Sequence, residues 1–307
     1  MSFITQDESL ILKRLNEGLA VAIPTETVYG LAADYANEEA VKKIFKIKNR
    51  PQQHPLIMHI LPDWDLSQWV EYIPEQASEL IKKYWPGPLT LVFRMKADSV
   101  LPVITGGQDT VAIRAPNHPM MLGLLKSFGR PLVAPSANPF EKLSPTTAWN
   151  VQQHFMHEDL AILDGGRCQV GIESTIVDMA HQIGQVLRPG QLNLPQIEAQ
   201  SSSIRVPGAH SKHYQPHQPC FYFDNIEELD FSLDDDYVIC FQHYAGLKID
   251  YCFPHDFEKI CYEFYYQLKK ADESGCNRIL IERPQSPALQ MIADKIQRAA
   301  HPIFVKY

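Results

Sequence analysis

The chain has no Cys-x-x-Cys pair, and five of its six cysteines fall in the last third. That spacing suits neither a zinc site nor a disulfide framework, so reduced thiols in a cytoplasmic protein are expected. No apolar run approaches the ~20 residues of a membrane span, so no membrane association is expected. Residues 1–18 lack the basic head and apolar stretch of a secretory signal. Positive charge is also scarce. The net charge is −8, and both sides of Arg205 carry more acid than base. A broad nucleic-acid surface would need clustered cations, so direct tRNA binding is not expected. The local exception is Lys42, Lys43, Lys46, Lys48 and Arg50. There is no Walker loop, no Gly-x-Ser-x-Gly elbow and no histidine pair spaced for a metal on one helix. No metal held by protein side chains is therefore expected.

What is present is an α/β pattern. Its 307 residues suit about two domains, at roughly 150 residues each. Apolar runs at 19–23, 56–60, 89–95, 110–114, 132–134, 161–163, 175–178 and 185–187 predict strands. Periodic segments at 7–17, 37–49, 76–85, 117–128 and 144–155 predict helices. From Gly190 to Pro219 the chain turns rich in Ser, Pro, Gln and His, as a linker does. A second alternation follows, with strands at 220–223, 237–241, 278–282 and 303–307 and helices at 256–270 and 288–300. It predicts a small parallel-sheet domain.

Six segments place polar groups at strand ends, where α/β enzymes present sites. In Pro24-Thr25-Glu26-Thr27-Val28-Tyr29-Gly30, three oxygen-bearing side chains follow a buried strand, although a capped turn needs only the Pro and Gly. In Lys48-Asn49-Arg50-Pro51, Pro51 pushes Arg50 out of helical geometry. Two cations can then converge on one anion, or simply solvate a helix end. His59 and Arg114 end buried strands, and a buried Arg needs an anionic partner, from the protein or from a substrate. Pro135-Ser136-Ala137-Asn138-Pro139 offers short polar side chains on a rigid loop, or an Asx turn. Glu173-Ser174-Thr175 and Leu187-Arg188-Pro189-Gly190 complete the set.

Taken in order, these segments resemble the YrdC-like threonylcarbamoyl-AMP synthase family. The resemblance also takes in Pro55-Leu56-Ile57-Met58-His59 and Ser144-Pro145-Thr146, and runs from about residue 5 to 195. Val206 to Pro216 resembles the linker of the family's long, two-domain form. Asn49, His54, Ala209 and Gln215 depart from the usual pattern. The resemblance implies a twisted open α/β sheet with a concave basic cavity at 1–195. It also implies a linker and active-site lid at 196–219 and a small Rossmann-like domain at 220–307. It implies a nucleotidyltransferase that joins L-threonine, bicarbonate and ATP into threonylcarbamoyl-AMP and pyrophosphate, with magnesium accompanying ATP. Other proteins then transfer the threonylcarbamoyl group to tRNA.

By resemblance Lys48 and Arg50 are catalytic. Thr27, His59, Arg114, Ser136 and Ser174 line the threonine pocket. Lys48, Arg50, His54, Thr110, Ser136, Asn138, Ser144 and Arg188 hold ATP, and His213 and Tyr214 belong to the lid. Two other classes compete with this reading. One is an RNA-binding module gripping phosphates with Lys42–Arg50. The other is a carbamoyl-transfer domain, which usually accompanies zinc-binding domains that this chain lacks.

Overall fold

The computed structural model describes residues 1–181, 184–194, 197, 203–208, 214–226, 229 and 235–303. They divide into two units. One comprises 1–140 and 145–209, the other 141–144 and 210–307.

The first unit opens with β1 (Phe3–Thr5), α1 (Glu8–Asn16), β2 (Val21–Ile23), β3 (Gly30–Asp34) and α2 (Glu38–Lys48). Next come β4 (Ile57–His59), α3 (Glu75–Tyr84), β5 (Leu89–Arg94), α4 (Pro102–Thr105) and β6 (Thr110–Arg114). It closes with α5 (Pro119–Phe128), β7 (Leu132–Val133), α6 (Ala148–His154), β8 (Ala161–Leu163), β9 (Thr175–Asp178) and β10 (Gln185–Arg188). The strands form one mixed sheet in the order β1-β8-β2-β3-β7-β4-β6-β5-β9-β10. Its faces are packed by two apolar clusters, one centred on Tyr29, Ile44, Phe93 and Ile113, the other on Ile11, Leu15, Leu125 and Leu163.

The second unit contains β11 (Cys220–Phe223), β12 (Asp236–Cys240), β13 (Tyr251–Cys252), α7 (Phe257–Asp272), β14 (Arg278–Glu282), α8 (Gln290–Ala299) and β15 (His301–Pro302). Its sheet, in the order β13-β12-β14-β11-β15, is parallel throughout. Among the described residues no helix is long and apolar enough to cross a membrane.

Several boundaries differ from the sequence reading, for local reasons. The strand after Tyr29 was not expected from the sequence. Gly30–Asp34 is a strand antiparallel to β2. All five residues are buried, so no polar alternation marked it. α5 is capped at His118 rather than Asn117, because Pro119 occupies its first turn and forces the preceding residue to be extended. α6 starts after Thr147, whose side chain accepts from Asn150 N–H, rather than at Ser144. Ser144 precedes Pro145 and is biased away from helix in the same way. The last strand is His301–Pro302, and residues 304–307 lie outside those described.

Candidate active site

The site face is read from strand register. β4 and β6 are parallel, pairing His59 with Arg114 and Ile57 with Ala112. β5 pairs antiparallel with β6, Val92 with Ala112 and Leu91 with Ile113. Since side chains alternate, His59, Arg114 and Thr90 form a polar row on one face. Ile57, Ala112 and Val92 form the apolar row beside it. Thr110, opposite Arg94, stands beyond the apolar row. Thr110 and Arg114 are four residues apart, about 13 Å along a strand. They mark opposite ends of one face.

At the polar end Arg114 is held by one ion pair and two hydrogen bonds, while its Nη2 makes no hydrogen bond. Its Nη2 lies 2.8 Å from Glu26 Oε2, with both side chains 4% exposed. Nη1 donates to Thr27 Oγ1 at 2.8 Å, and Nε to Gly87 O at 3.3 Å. The sequence left the partner of Arg114 open, and the structure supplies Glu26. Thr25 fixes this loop, its hydroxyl 2.9 Å from Thr27 Oγ1 and donating to Val28 O. His59 Nδ1 donates to Ile57 O at 3.2 Å. Burial, and then the nearby Arg114 charge, push His59 down to about 3, so the ring is neutral. Ser174 Oγ lies 2.7 Å from Thr90 Oγ1.

A second group gathers cations. Helix α2 ends at Lys48 because Asn49 takes the left-handed conformation, φ 52°. Lys48 then turns inward. Its Nζ donates to Ser136 O at 2.5 Å and to Asn138 O. Arg50 donates to Pro55 O at 3.1 Å and lies over the Phe140 ring. His54 packs on the same ring, centroids 5.3 Å apart. Arg188 reaches across from β10, donating to Ser174 O and Oγ and to Pro207 O. All three cations are buried. Burial and then the Arg50 charge drive Lys48 well below the usual lysine range. Burial and then Arg188 lower Arg50 to about 10. Arg50 Nε is buried without a hydrogen bond, and none of the three makes an ion pair among the described residues. Buried cations that repel one another and lack a carboxylate are unfavourable unless an anion joins them.

Other expected residues stand as follows. Ser136 is bridged by its backbone to Gly30, which brings the Pro135–Pro139 loop against the Thr25–Tyr29 loop. A Cβ on Gly30 would meet Ala134 Cβ at 3.0 Å, so the close approach favours glycine. Ser144 lies in the 141–144 segment that belongs to the second unit. Tyr214, expected in a lid, is buried in that unit. Its ring is 5.3 Å from Tyr265, and Lys295 Nζ lies 4.5 Å from its centroid. His213 is outside the described residues. Part of the expected linker is seated on the site face instead. Ile204 and Val206 pack with Ile57, Val92 and Ala112, and Arg205 N–H donates to Gln108.

Sequence reasoning assigned no role to Glu26, Thr90 or Phe140. Glu26 could have been flagged by its place between two threonines, beside a buried-strand arginine lacking an acid. Thr90 and Phe140 carried no such signal, since only register and packing bring them to the site.

The fold and this site define a YrdC-like α/β enzyme of nucleotidyltransferase type. A family model described as telomere recombination, covering the Sua5, YciO and YrdC proteins, matches residues 13–190. A second, the threonylcarbamoyl-AMP synthase C-terminal domain, matches 178–301. The chain is 36% identical to the threonylcarbamoyl-AMP synthase of Pyrococcus abyssi, covering 93% of this chain and 92% of that protein. It is also 36% identical to that of Bacillus subtilis, covering 93% and 90%. The crystal structure of P. abyssi Sua5 complexed with L-threonine superposes with a TM-score of 0.83, at 31% identity and 99% coverage of both chains. The chain belongs to the threonylcarbamoyl-AMP synthase family, in its two-domain form.

Proposed function

We propose that this chain forms threonylcarbamoyl-AMP and pyrophosphate from L-threonine, bicarbonate and ATP. The product would supply proteins that transfer the threonylcarbamoyl group to tRNA. The observation that carries the reading is the buried cluster Lys48, Arg50 and Arg188, which has no carboxylate among the described residues and stands beside the Thr27–His59–Arg114 group. Its chemistry asks for a polyanion next to a small polar substrate.

In this reading threonine occupies the polar row, where Thr27, His59, Ser136 and Ser174 can serve its hydroxyl and carbamate. Arg114 takes its carboxylate while Glu26 keeps the guanidinium in place. Threonine and bicarbonate form a carbamate, whose oxygen attacks the α-phosphorus of ATP as pyrophosphate leaves. Arg50 and Lys48 stabilise charge building on the phosphoryl oxygens. Arg188 supports them, with His54, Thr110 and Asn138 on the nucleotide. Lys48 has a further task. By holding the carbonyls of Ser136 and Asn138 it fixes the loop that carries both side chains.

Magnesium would arrive with the triphosphate. Its ligands would include phosphate oxygens and water, and no step here depends on it. The carbamate hydrolyses in water, so closure is required. Ile204 and Val206 already shield the apolar row. Incubation with ¹³C-bicarbonate, ATP and L-threonine should give an adenylate carrying one ¹³C by mass spectrometry. An adenylate without the label would reject the carbamate route.

A further inference from the structure

The second unit has a cavity of about 650 Å³ at the carboxyl edge of β12 and β13, in front of the first turns of α7. That volume lies within the range of small-molecule sites and would accommodate a mononucleotide. Its floor is Phe253, 2% exposed and locked by stacking on Phe241 at 4.7 Å. Tyr251 stands edge-on to Phe253, and Tyr262 of α7 lines the cavity with them, so three aromatic rings contribute to the wall. Flat apolar walls of this kind suit a planar ring. Glu263 lines the same cavity, and its Oε2 is oriented by Gln267 at 2.8 Å. A carboxylate there accepts from an exocyclic amine, which adenine has and uracil lacks.

The rim is cationic. Lys259 and His255 are exposed and make no ion pair among the described residues. Lys259 also breaks a local rule. It sits in the first turn of α7, where the helix dipole disfavours a cation, and no other described α-helix carries a basic residue in its first four positions. Placements that cost stability without local return tend to mark function. The carboxyl edge of a parallel sheet is also where α/β domains bind ligands.

We propose that this cavity is a second nucleotide site, separate from the catalytic one. It would take an adenine mononucleotide, with the base between Tyr251 and Tyr262, its amine at Glu263, and the phosphate at Lys259 and His255.

Equilibrium dialysis of the full chain with AMP tests it. Binding should persist in Arg50→Ala, which disables the catalytic anion site. In the Arg50→Ala background, Lys259→Glu or Tyr262→Ala should weaken it about tenfold or more. Photolabelling of the wild-type chain with 8-azido-AMP should modify the peptide 251–263, a readout independent of variant folding. Loss of all AMP binding in Arg50→Ala would overturn the proposal. So would binding indifferent to both second-unit variants, or label confined to residues 1–209. Because the site is read independently of catalysis, failure of the synthase reaction would leave this result standing, and the reverse.

Discussion

Arg114 and Glu26 form a buried ion pair, Nη2 to Oε2 at 2.8 Å, at the strand end where a substrate carboxylate is expected. The pair separates two effects that sequence alone merged. Glu26→Gln leaves the guanidinium buried and uncompensated, which costs about 3–5 kcal/mol. Urea unfolding should show that loss. Arg114→Lys keeps a charge for Glu26 but loses the fork to Thr27 and Gly87. Its stability should fall less, while the KM for L-threonine rises about tenfold or more with ATP binding retained. An unchanged threonine KM would leave Arg114 a purely structural residue.

Arg50 and Lys48 should part company on mutation. Arg50→Ala removes a buried cation that has no carboxylate partner. Stability should stay within about 1 kcal/mol of wild type or rise, while turnover falls roughly 10²–10³-fold. Lys48→Met leaves the Ser136 and Asn138 carbonyls without their donor. That should cost about 1–3 kcal/mol for each buried group, together with activity. Calorimetry alongside a pyrophosphate assay reads both. Equal destabilisation by the two substitutions would contradict the division of labour.

His59 gives a pH test. Its folded pKa of about 3 lies below the ordinary 6.5, so between those values the unfolded chain binds the extra proton. The contribution is fully present above pH 6.5 and is lost as pH falls toward 3. The slope is about 1.4 kcal/mol per pH unit for one proton. His59→Asn should flatten the stability profile between pH 6.5 and 4 by about one proton. A parallel profile would mean that His59 is already charged in the folded chain.

Tyr214 carries a different expectation from that of a free lid residue. Its ring is buried against Tyr265 and Lys295. Tyr214→Ala should therefore destabilise the second unit by about 3–5 kcal/mol, the range for a large buried aromatic. Proteolysis should show it as faster cleavage within 235–303 and unchanged protection of 1–181. Unaltered cleavage would return Tyr214 to a solvent-facing role.

Much of the catalytic unit was legible because its polar residues interrupt apolar strands at their ends. Thr110–Arg114, Ala161–Leu163 and Thr175–Asp178 were read to the residue. The helix that places Lys48 was read to within one residue at each end, 37–49 against Glu38–Lys48, since Asn37 caps it and Pro51 limits it. β3 was missed because Gly-Leu-Ala-Ala-Asp has low strand propensity and is buried on both faces. The Glu26–Arg114 pair is separated by 88 positions, and the seating of Ile204 and Val206 on the sheet is equally non-local. Composition marked 190–219 as linker, but it could not show which of those residues pack.

The central claim is tested most directly by pyrophosphate release from ATP by the purified chain, with and without L-threonine and bicarbonate. The account predicts release that needs both co-substrates together and that falls roughly 10²–10³-fold in Arg50→Ala. Release at the same rate without threonine or without bicarbonate, or with Arg50 removed, would contradict it.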